Sequence, residues 1–258
     1  MSAPERSRFA EYFRLQLRLA ETVAGRTGEP FALAVTQLTN LMRRLRLEEA
    51  SAWAAFTERL AALATTDARM ELILDAFAAE PPDPLGPSPF GCFAHEPPDE
   101  GGVVRIHFPG GDASDGTGPL ARHKIGRRRA ELAAMTTSIR ERFPGATAIR
   151  GGSWLYNLEA YRRLFPPAFA ESRTSPGAWR LGGTSTWGQL VDHTVQVRPE
   201  ARDYFLARLP TVDPAKPWEV FPLRALTTRA PLQAFVDFYA APSAELNGPA
   251  GVRTTIRP

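Results

Sequence analysis

The fold of this chain depends on one stretch, Val103-Val104-Arg105-Ile106-His107-Phe108. Apolar side chains at positions 104, 106 and 108 alternate with their neighbours, which is the period of a half-buried β-strand. Pro109-Gly110-Gly111 ends that strand, and the Gly- and Asp-rich residues 112–118 predict a loop. A helix is predicted from about Leu120 to Arg142, because Phe143-Pro144-Gly145 then stops the helical pattern.

Ala146 to Arg150 predicts the second strand of the same unit. A strand–helix–strand unit of this length favours a parallel pair of strands with a right-handed crossover. The second strand runs into Gly151-Gly152-Ser153-Trp154-Leu155-Tyr156-Asn157, and Asn157 is predicted to cap a helix that continues to Phe165. Open α/β sheets usually bind ligands at the carboxyl ends of such strands, so the predicted site lies there.

The pattern after Pro166-Pro167 predicts four more elements. They are a strand near Phe169 to Arg173, a helix near Pro199 to Leu209, a strand around Val220 to Thr227 and a closing helix from Pro231 to Tyr239. The fold class is therefore α/β, with α+β as the alternative.

Residues 1–80 are predicted to form about four helices, because their apolar side chains recur at spacings of three and four. The four sets run from Phe9 to Val23, Phe31 to Leu45, Trp53 to Leu63, and Met70 to Phe77, the last starting near Thr66 or Asp67. We expect a small bundle or a helical cap.

Residues 81–101 contain seven prolines, which prevent both a helix and a central strand. The apolar centre of this segment, Phe90-Gly91-Cys92-Phe93, predicts a linker or a wrapping arm that packs against a neighbouring domain. Residues 102–258 are then the predicted α/β core domain, a mixed sheet with flanking helices.

Composition excludes several classes of protein. A content of 43% hydrophobic and 23% charged residues is ordinary for a soluble globular protein, and no apolar run approaches the roughly 18 to 20 residues that cross a membrane. The N-terminus lacks a signal-peptide pattern, so we expect a cytoplasmic protein with no membrane partner. Cys92 is the only cysteine and no histidine pair has metal-ligand spacing, so we expect no disulfide and no metal site.

The net charge of +3, with a pI near 9.3, fits a small anionic ligand better than a nucleic acid. Basic and aromatic residues do not interleave as they do in proteins that bind single strands, which further disfavours nucleic acid. The sequence leaves the oligomeric state open.

The densest charge lies in Arg122-His123-Lys124-Ile125-Gly126-Arg127-Arg128-Arg129, at the predicted helix start. Cations at the positive end of a helix dipole are unfavourable by ~0.3 to 1 kcal/mol each, so an anionic ligand would explain them. Gly126 favours close approach of such a ligand, because glycine otherwise weakens a helix. The alternative is a solvated polar face with Glu131 and Glu141 as partial partners.

Two residues are candidate catalytic groups. His107, on the polar side of its strand, has the chemistry of a general base, although a histidine paired with a neighbouring element is the alternative. Ser153 follows two glycines as in a nucleophile elbow, but Leu155 breaks the Gly-x-Ser-x-Gly pattern, so local bonding to the backbone is the alternative. Trp154, Tyr156 and Asn157 would then line the substrate, or, for the aromatics, belong to the core.

The order of a strand, a Gly-containing loop, a basic helix start and a second strand resembles the cofactor-binding core of the GNAT acyltransferases. In that family's Arg/Gln-x-x-Gly-x-Gly/Ala pattern, His123 aligns with the first position, Gly126 with the second and Arg128 with the third. Gly126 matches the pattern, whereas His123 and Arg128 depart from it. The resemblance covers residues 100–240 at most. It implies a GNAT-like mixed sheet, acyl-coenzyme A as co-substrate, and phosphate contacts from Arg122, His123, Lys124, Gly126, Arg127 and Arg128.

Three functions remain open from the sequence. The first is an acyl-coenzyme A-dependent acyltransferase that acts on an amine or a hydroxyl group. The second is a non-catalytic interaction protein that presents its N-terminal helices to a protein partner. The third is a serine-type hydrolase.

Overall fold

A computed structural model describes residues 3–79, 88–112, 115–176 and 181–241. This described part has a mixed α/β fold with eleven α-helices and one four-stranded mixed sheet. The predicted fold class is therefore confirmed at that level, and the GNAT-like arrangement stays a prediction. Within the same residues, no helix combines the length and the apolar character needed to cross a bilayer.

The N-terminal region contains five helices where the sequence predicted about four. Their bounds are α1, Ala3–Thr27; α2, Phe31–Leu38; α3, Leu41–Arg44; α4, Ala50–Ala62; and α5, Thr66–Ala79. The predicted helix from Phe31 to Leu45 is wrong in its length, because the helix ends at Leu38, and Thr39 and the buried residue Asn40 separate α2 from α3. There the backbone N–H of Asn40 donates to Gln16 Oε1 at 2.9 Å and its side-chain amide donates to the Tyr12 hydroxyl at 2.8 Å.

The remaining elements of the described part are four strands and six α-helices. In chain order they are β1 (Ala94–His95), β2 (Val103–His107), α6 (Ile125–Arg142), β3 (Ala148–Ser153), α7 (Glu159–Arg162), α8 (Pro167–Glu171), α9 (Thr184–Trp187), α10 (Pro199–Arg208), β4 (Leu226–Pro231) and α11 (Leu232–Ala240). The sheet order is β1-β2-β3-β4; only β2 and β3 are parallel, and α6 connects them. The predicted strand–helix–strand unit is confirmed.

Two of the later predictions need correction. The predicted strand near Phe169 is the helix α8, because Pro166-Pro167 begins a helix whose first turn needs no proline N–H. The predicted strand from Val220 begins only at Leu226, since Val220 ends a 3₁₀ turn. The predicted helices near Pro199 and after Pro231 are confirmed as α10 and α11.

The described residues form two hydrophobic cores, one around the N-terminal helices and one around the sheet. The first core joins α1, α2, α4 and α5 to residues 181–221, and the second joins the inner face of the sheet to α6 and α11. Trp187 connects distant parts of the first core: it is fully buried and its Nε1 donates to Leu38 O at 3.0 Å. Cys92 and Phe93 are buried in the second core, which confirms that the segment around them packs against the protein.

Candidate functional site

The parallel strands β2 and β3 pair along only part of their length. Their pairing runs from Val103 opposite Ala148 to Arg105 opposite Arg150, whereas β3 continues as far as Ser153 paired with β4. The two strands therefore part at their carboxyl ends, which is the edge where open α/β sheets bind ligands.

Tyr156, predicted as a substrate-binding residue, is buried in the second core beside this edge. A Cβ atom built on Gly151 would lie 1.9 Å from the Tyr156 hydroxyl oxygen, so only glycine fits beneath the ring. The ring centroids of Tyr156 and Tyr161 lie 5.1 Å apart. Burial raises the pKa of Tyr156 to about 12 and raises that of Tyr161 as well, so both hydroxyl groups keep their protons at neutral pH.

Residues of the loop before α6 bind two residues of the predicted cofactor-binding run, Lys124 and His123. Lys124 is buried, and its Nζ donates to Asp115 Oδ1 at 2.7 Å and to Asp112 O at 3.0 Å. His123 Nε2 lies 2.9 Å from the other oxygen of Asp115. Hydrogen bonds from Lys124, and then from His123, hold the pKa of Asp115 well below its usual range. These two basic residues are therefore paired within the chain.

Arg128 also points inward. Its guanidinium is 1% exposed, forms an ion pair with Asp112 and donates to Glu131 Oε1 at 2.6 Å. Arg127 is 63% exposed and lies 3.2 Å from an oxygen of each of the same two carboxylates. Burial and two carboxylates thus already hold the charge of Arg128, which was predicted to bind a cofactor.

The first and last arginines of this run come together with an arginine from further along the chain. Arg122 and Arg129 lie near the start of α6, and Arg163 follows α7; we call these three residues the arginine cluster. Arg163 Nη2 donates to Leu120 O at 3.4 Å, and Arg129 Nη2 donates to Arg163 O at 2.7 Å. The segments that follow both parallel strands therefore supply the cluster.

The electrostatics of the arginine cluster differ from those of the paired residues. Burial lowers the pKa of Arg163, and the charges of Arg122 and Arg129 lower it further, while Glu159 opposes the shift. The Nε atoms of Arg129 and Arg163 are buried without a hydrogen-bond partner. Among the residues that the structure describes, none of the three arginines forms an ion pair with a carboxylate. Neither Arg129 nor Arg163 was among the site residues predicted from the sequence, although both follow strands of the predicted strand–helix–strand unit.

The two candidate catalytic residues, Ser153 and His107, each bond to a different neighbouring group. Ser153 Oγ accepts from the backbone N–H of Leu155 at 3.1 Å and caps a 3₁₀ turn. His107 Nε2 lies 2.8 Å from Glu96 Oε1, which is the paired alternative foreseen from the sequence.

The other predicted substrate-binding residues also belong to local structure. The Asn157 amide donates to Trp154 O and Arg224 O, both at 2.7 Å. Asn157 does not cap the next helix, since Leu158 is the residue before α7. Trp154 is half-buried. Gly126 is exposed, with open space where a side chain would be, so its backbone is accessible.

Two further surfaces are a concavity at the end of α6 and the exposed side of the N-terminal helices. An open concavity of about 260 Å³, lined in part by Arg140 and Phe143, lies at the far end of α6 from the arginine cluster. In the described part of the N-terminal helices, which were predicted to meet a protein partner, Leu33 is the one large apolar side chain that is exposed. The described residues also contain no group of three side chains that could hold a metal ion.

No protein-family model, curated protein or solved structure matches this chain. The function proposed below therefore depends on this chain's own residues. The arginine cluster, on the segments that follow the parallel strands, is its best-supported candidate site.

Proposed function

We propose that the protein binds an acyl-coenzyme A through the arginine cluster and transfers the acyl group to an amine or a hydroxyl group. One observation carries this proposal: Arg122, Arg129 and Arg163, on the segments that follow two parallel strands, come together without a carboxylate ion pair in the described residues. Coenzyme A carries a pyrophosphate and a further phosphate, which match clustered guanidinium groups. A cytoplasmic location belongs to the same proposal.

Unpaired charge and unpaired donors both favour an anion at the cluster. A buried donor without a partner costs about 1 to 3 kcal/mol, and the Nε atoms of Arg129 and Arg163 are two such donors. The charges of Arg122 and Arg129 also repel that of Arg163, and Glu159 offsets part of this repulsion. A bound phosphate would supply acceptor oxygens and negative charge together, so its binding would offset both costs.

The reaction requires the acceptor nitrogen or oxygen to attack the thioester carbonyl and form a C–N or C–O bond, while the C–S bond breaks. The acceptor loses a proton and the departing coenzyme A thiolate gains one. Positioning and a hydrogen bond to the carbonyl oxygen supply much of such catalysis. Tyr156 and Tyr161 are protonated donors that lie in the core where the strands part. Both side chains are at most 2% exposed, so the proposal assigns them no proton transfer.

Isothermal titration calorimetry with acetyl-coenzyme A, coenzyme A and inorganic pyrophosphate tests the proposal. Arg129→Gln and Arg163→Gln should each weaken binding about tenfold or more, since a hydrogen bond to a charged group contributes about 1.5 to 3 kcal/mol. Arg140→Gln, at the other end of α6, is the matched control and should bind normally.

Each outcome separates one part of the proposal from another. Binding of acetyl-coenzyme A that depends on Arg129 and Arg163, followed by acyl transfer to a panel of amines, supports the whole proposal. Equal binding of pyrophosphate and coenzyme A leaves an anion site without acyltransferase specificity. If none of the three compounds binds the protein, the proposal is wrong.

A further inference from the structure

The outer face of the sheet carries a row of arginines that is separate from the arginine cluster. The core side chains of the three strands, such as Val104, Ile149 and Ala230, point to the inner face. Arg105 of β2 stands directly opposite Arg150 of β3, and Arg150 stands directly opposite Arg229 of β4. Neighbouring strands lie about 4.8 Å apart, so we call these three residues the cross-strand row.

The charges of the cross-strand row are only weakly compensated. Arg105 Nη1 lies 3.8 Å from Glu96 Oε1, and Arg150 Nη2 lies 3.7 Å from Asp99 Oδ2, both beyond hydrogen-bond distance. Arg229 is exposed and has no ion pair within the described residues. Like charges directly opposite each other destabilise a sheet, so this arrangement costs stability unless an anionic group faces it.

The surface around the row can receive side chains of a partner. The side chain of Arg150 is 50% exposed. Arg229 borders an open concavity of about 460 Å³, which is also lined by Ala148 and Pro231. On the same face Gly152 has open space where a side chain would be. The face therefore offers guanidinium groups, a small apolar floor and a gap between side chains.

We propose that this face binds an acidic segment of a protein partner, with the carboxylates of that segment paired to the cross-strand row. Planar guanidinium groups bind carboxylates through two parallel hydrogen bonds, which makes arginine suited to such contacts. The inference does not depend on the proposed acyltransferase, since it concerns other arginines on the opposite face of the sheet.

The charge pattern favours a protein over a nucleic acid. Glu96 and Asp99 lie on the β1 side of the row, so a uniformly negative phosphodiester strand would meet carboxylates there. A protein segment can place acidic side chains over the arginines and other side chains over Glu96 and Asp99. The outward positions of β2, β3 and β4 also contain no Phe, Tyr or Trp on which bases would stack.

Fluorescence anisotropy with a labelled twelve-residue Glu-rich peptide tests this proposal on the full chain. We expect binding that weakens at least tenfold in Arg150→Gln/Arg229→Gln and that tightens in Glu96→Gln, which removes a neighbouring negative charge. Arg140→Gln/Arg142→Gln on α6 changes the net charge equally and should leave binding unchanged. A circular-dichroism melt of each variant separates loss of binding from loss of fold.

Three results would overturn the proposal. The first is no binding of the peptide at low salt. The second is equal binding by the wild type and Arg150→Gln/Arg229→Gln. The third is tighter binding of a labelled oligothymidine that depends on the same two arginines, which would assign the face to nucleic acid.

Discussion

Arg128→Met is expected to destabilise the protein strongly, because it removes a buried cation from between two carboxylates. Asp112 and Glu131 are 8% and 12% exposed, so neither can recover full hydration when the guanidinium is lost. Removing one partner of a buried ion pair costs about 3 to 5 kcal/mol. Arg127 stays near both carboxylates and offsets part of this loss, so we expect a cost of about 3 kcal/mol.

The measurement is thermal unfolding followed by circular dichroism at pH 7. A loss of 3 kcal/mol lowers the melting temperature by about 6 to 12 °C in a chain of this size. Arg127→Met is the matched control: it faces the same carboxylates, but its side chain is 63% exposed, so its loss should cost under about 1 kcal/mol. Asp112→Asn combined with Arg128→Met should recover part of the stability.

Equal, small shifts for Arg127→Met and Arg128→Met would refute this reasoning. They would mean that Asp112 and Glu131 can find water or another partner when the buried guanidinium is gone. In that case the basic run would act as the solvated face that the sequence offered as its alternative.

Three further predictions concern other positions. Gly151→Ala should cost about 1 to 3 kcal/mol in denaturant unfolding, because its Cβ would overlap the Tyr156 hydroxyl; Gly126→Ala, in open space, is the tolerated control. Ultraviolet titration should show Tyr156 ionising only near pH 12 or on alkaline unfolding, and its ionisation near pH 10 in the folded protein would contradict the burial. Because the pKa of Asp115 is lowered in the folded protein, its ionised carboxylate stabilises the fold above about pH 4, and this contribution declines as the pH falls below 4. Asp115→Asn lacks the contribution, so it should lose less stability than the wild type between pH 7 and pH 3.

The strand–helix–strand unit could be predicted because its signals are local. The alternation in β2 and the glycines and prolines around α6 each act within a few residues of where they stand. The helix α8 was mistaken for a strand because five residues are too few to show a helical period. The break at Asn40 could not be foreseen, since its cause is hydrogen bonding to Gln16 and Tyr12 in another helix.

The candidate site shares Arg122 with the residues predicted from the sequence, whereas Arg129 and Arg163 were not predicted. The basic run lies at the start of α6, as predicted. The sequence does not show, however, which of its arginine side chains is buried. Asp112 and Asp115 were read only as loop residues, although they pair with Arg128 and Lys124. Arg163 stands 41 residues after Arg122, so only the folded chain shows that the two charges interact.

Residues of α1 and Trp187 lie in one core although they are far apart in the sequence, so this core cannot be completed early in synthesis of the chain. The N-terminal helices end at Ala79, but the last buried residue of their core is Phe221, about 140 residues later. At about 5 to 20 residues per second, a ribosome takes roughly 7 to 28 seconds to add that length. During this time part of the apolar surface of the early helices is not yet covered by residues 181–221. Chaperones can therefore bind that surface until Phe221 has left the ribosome.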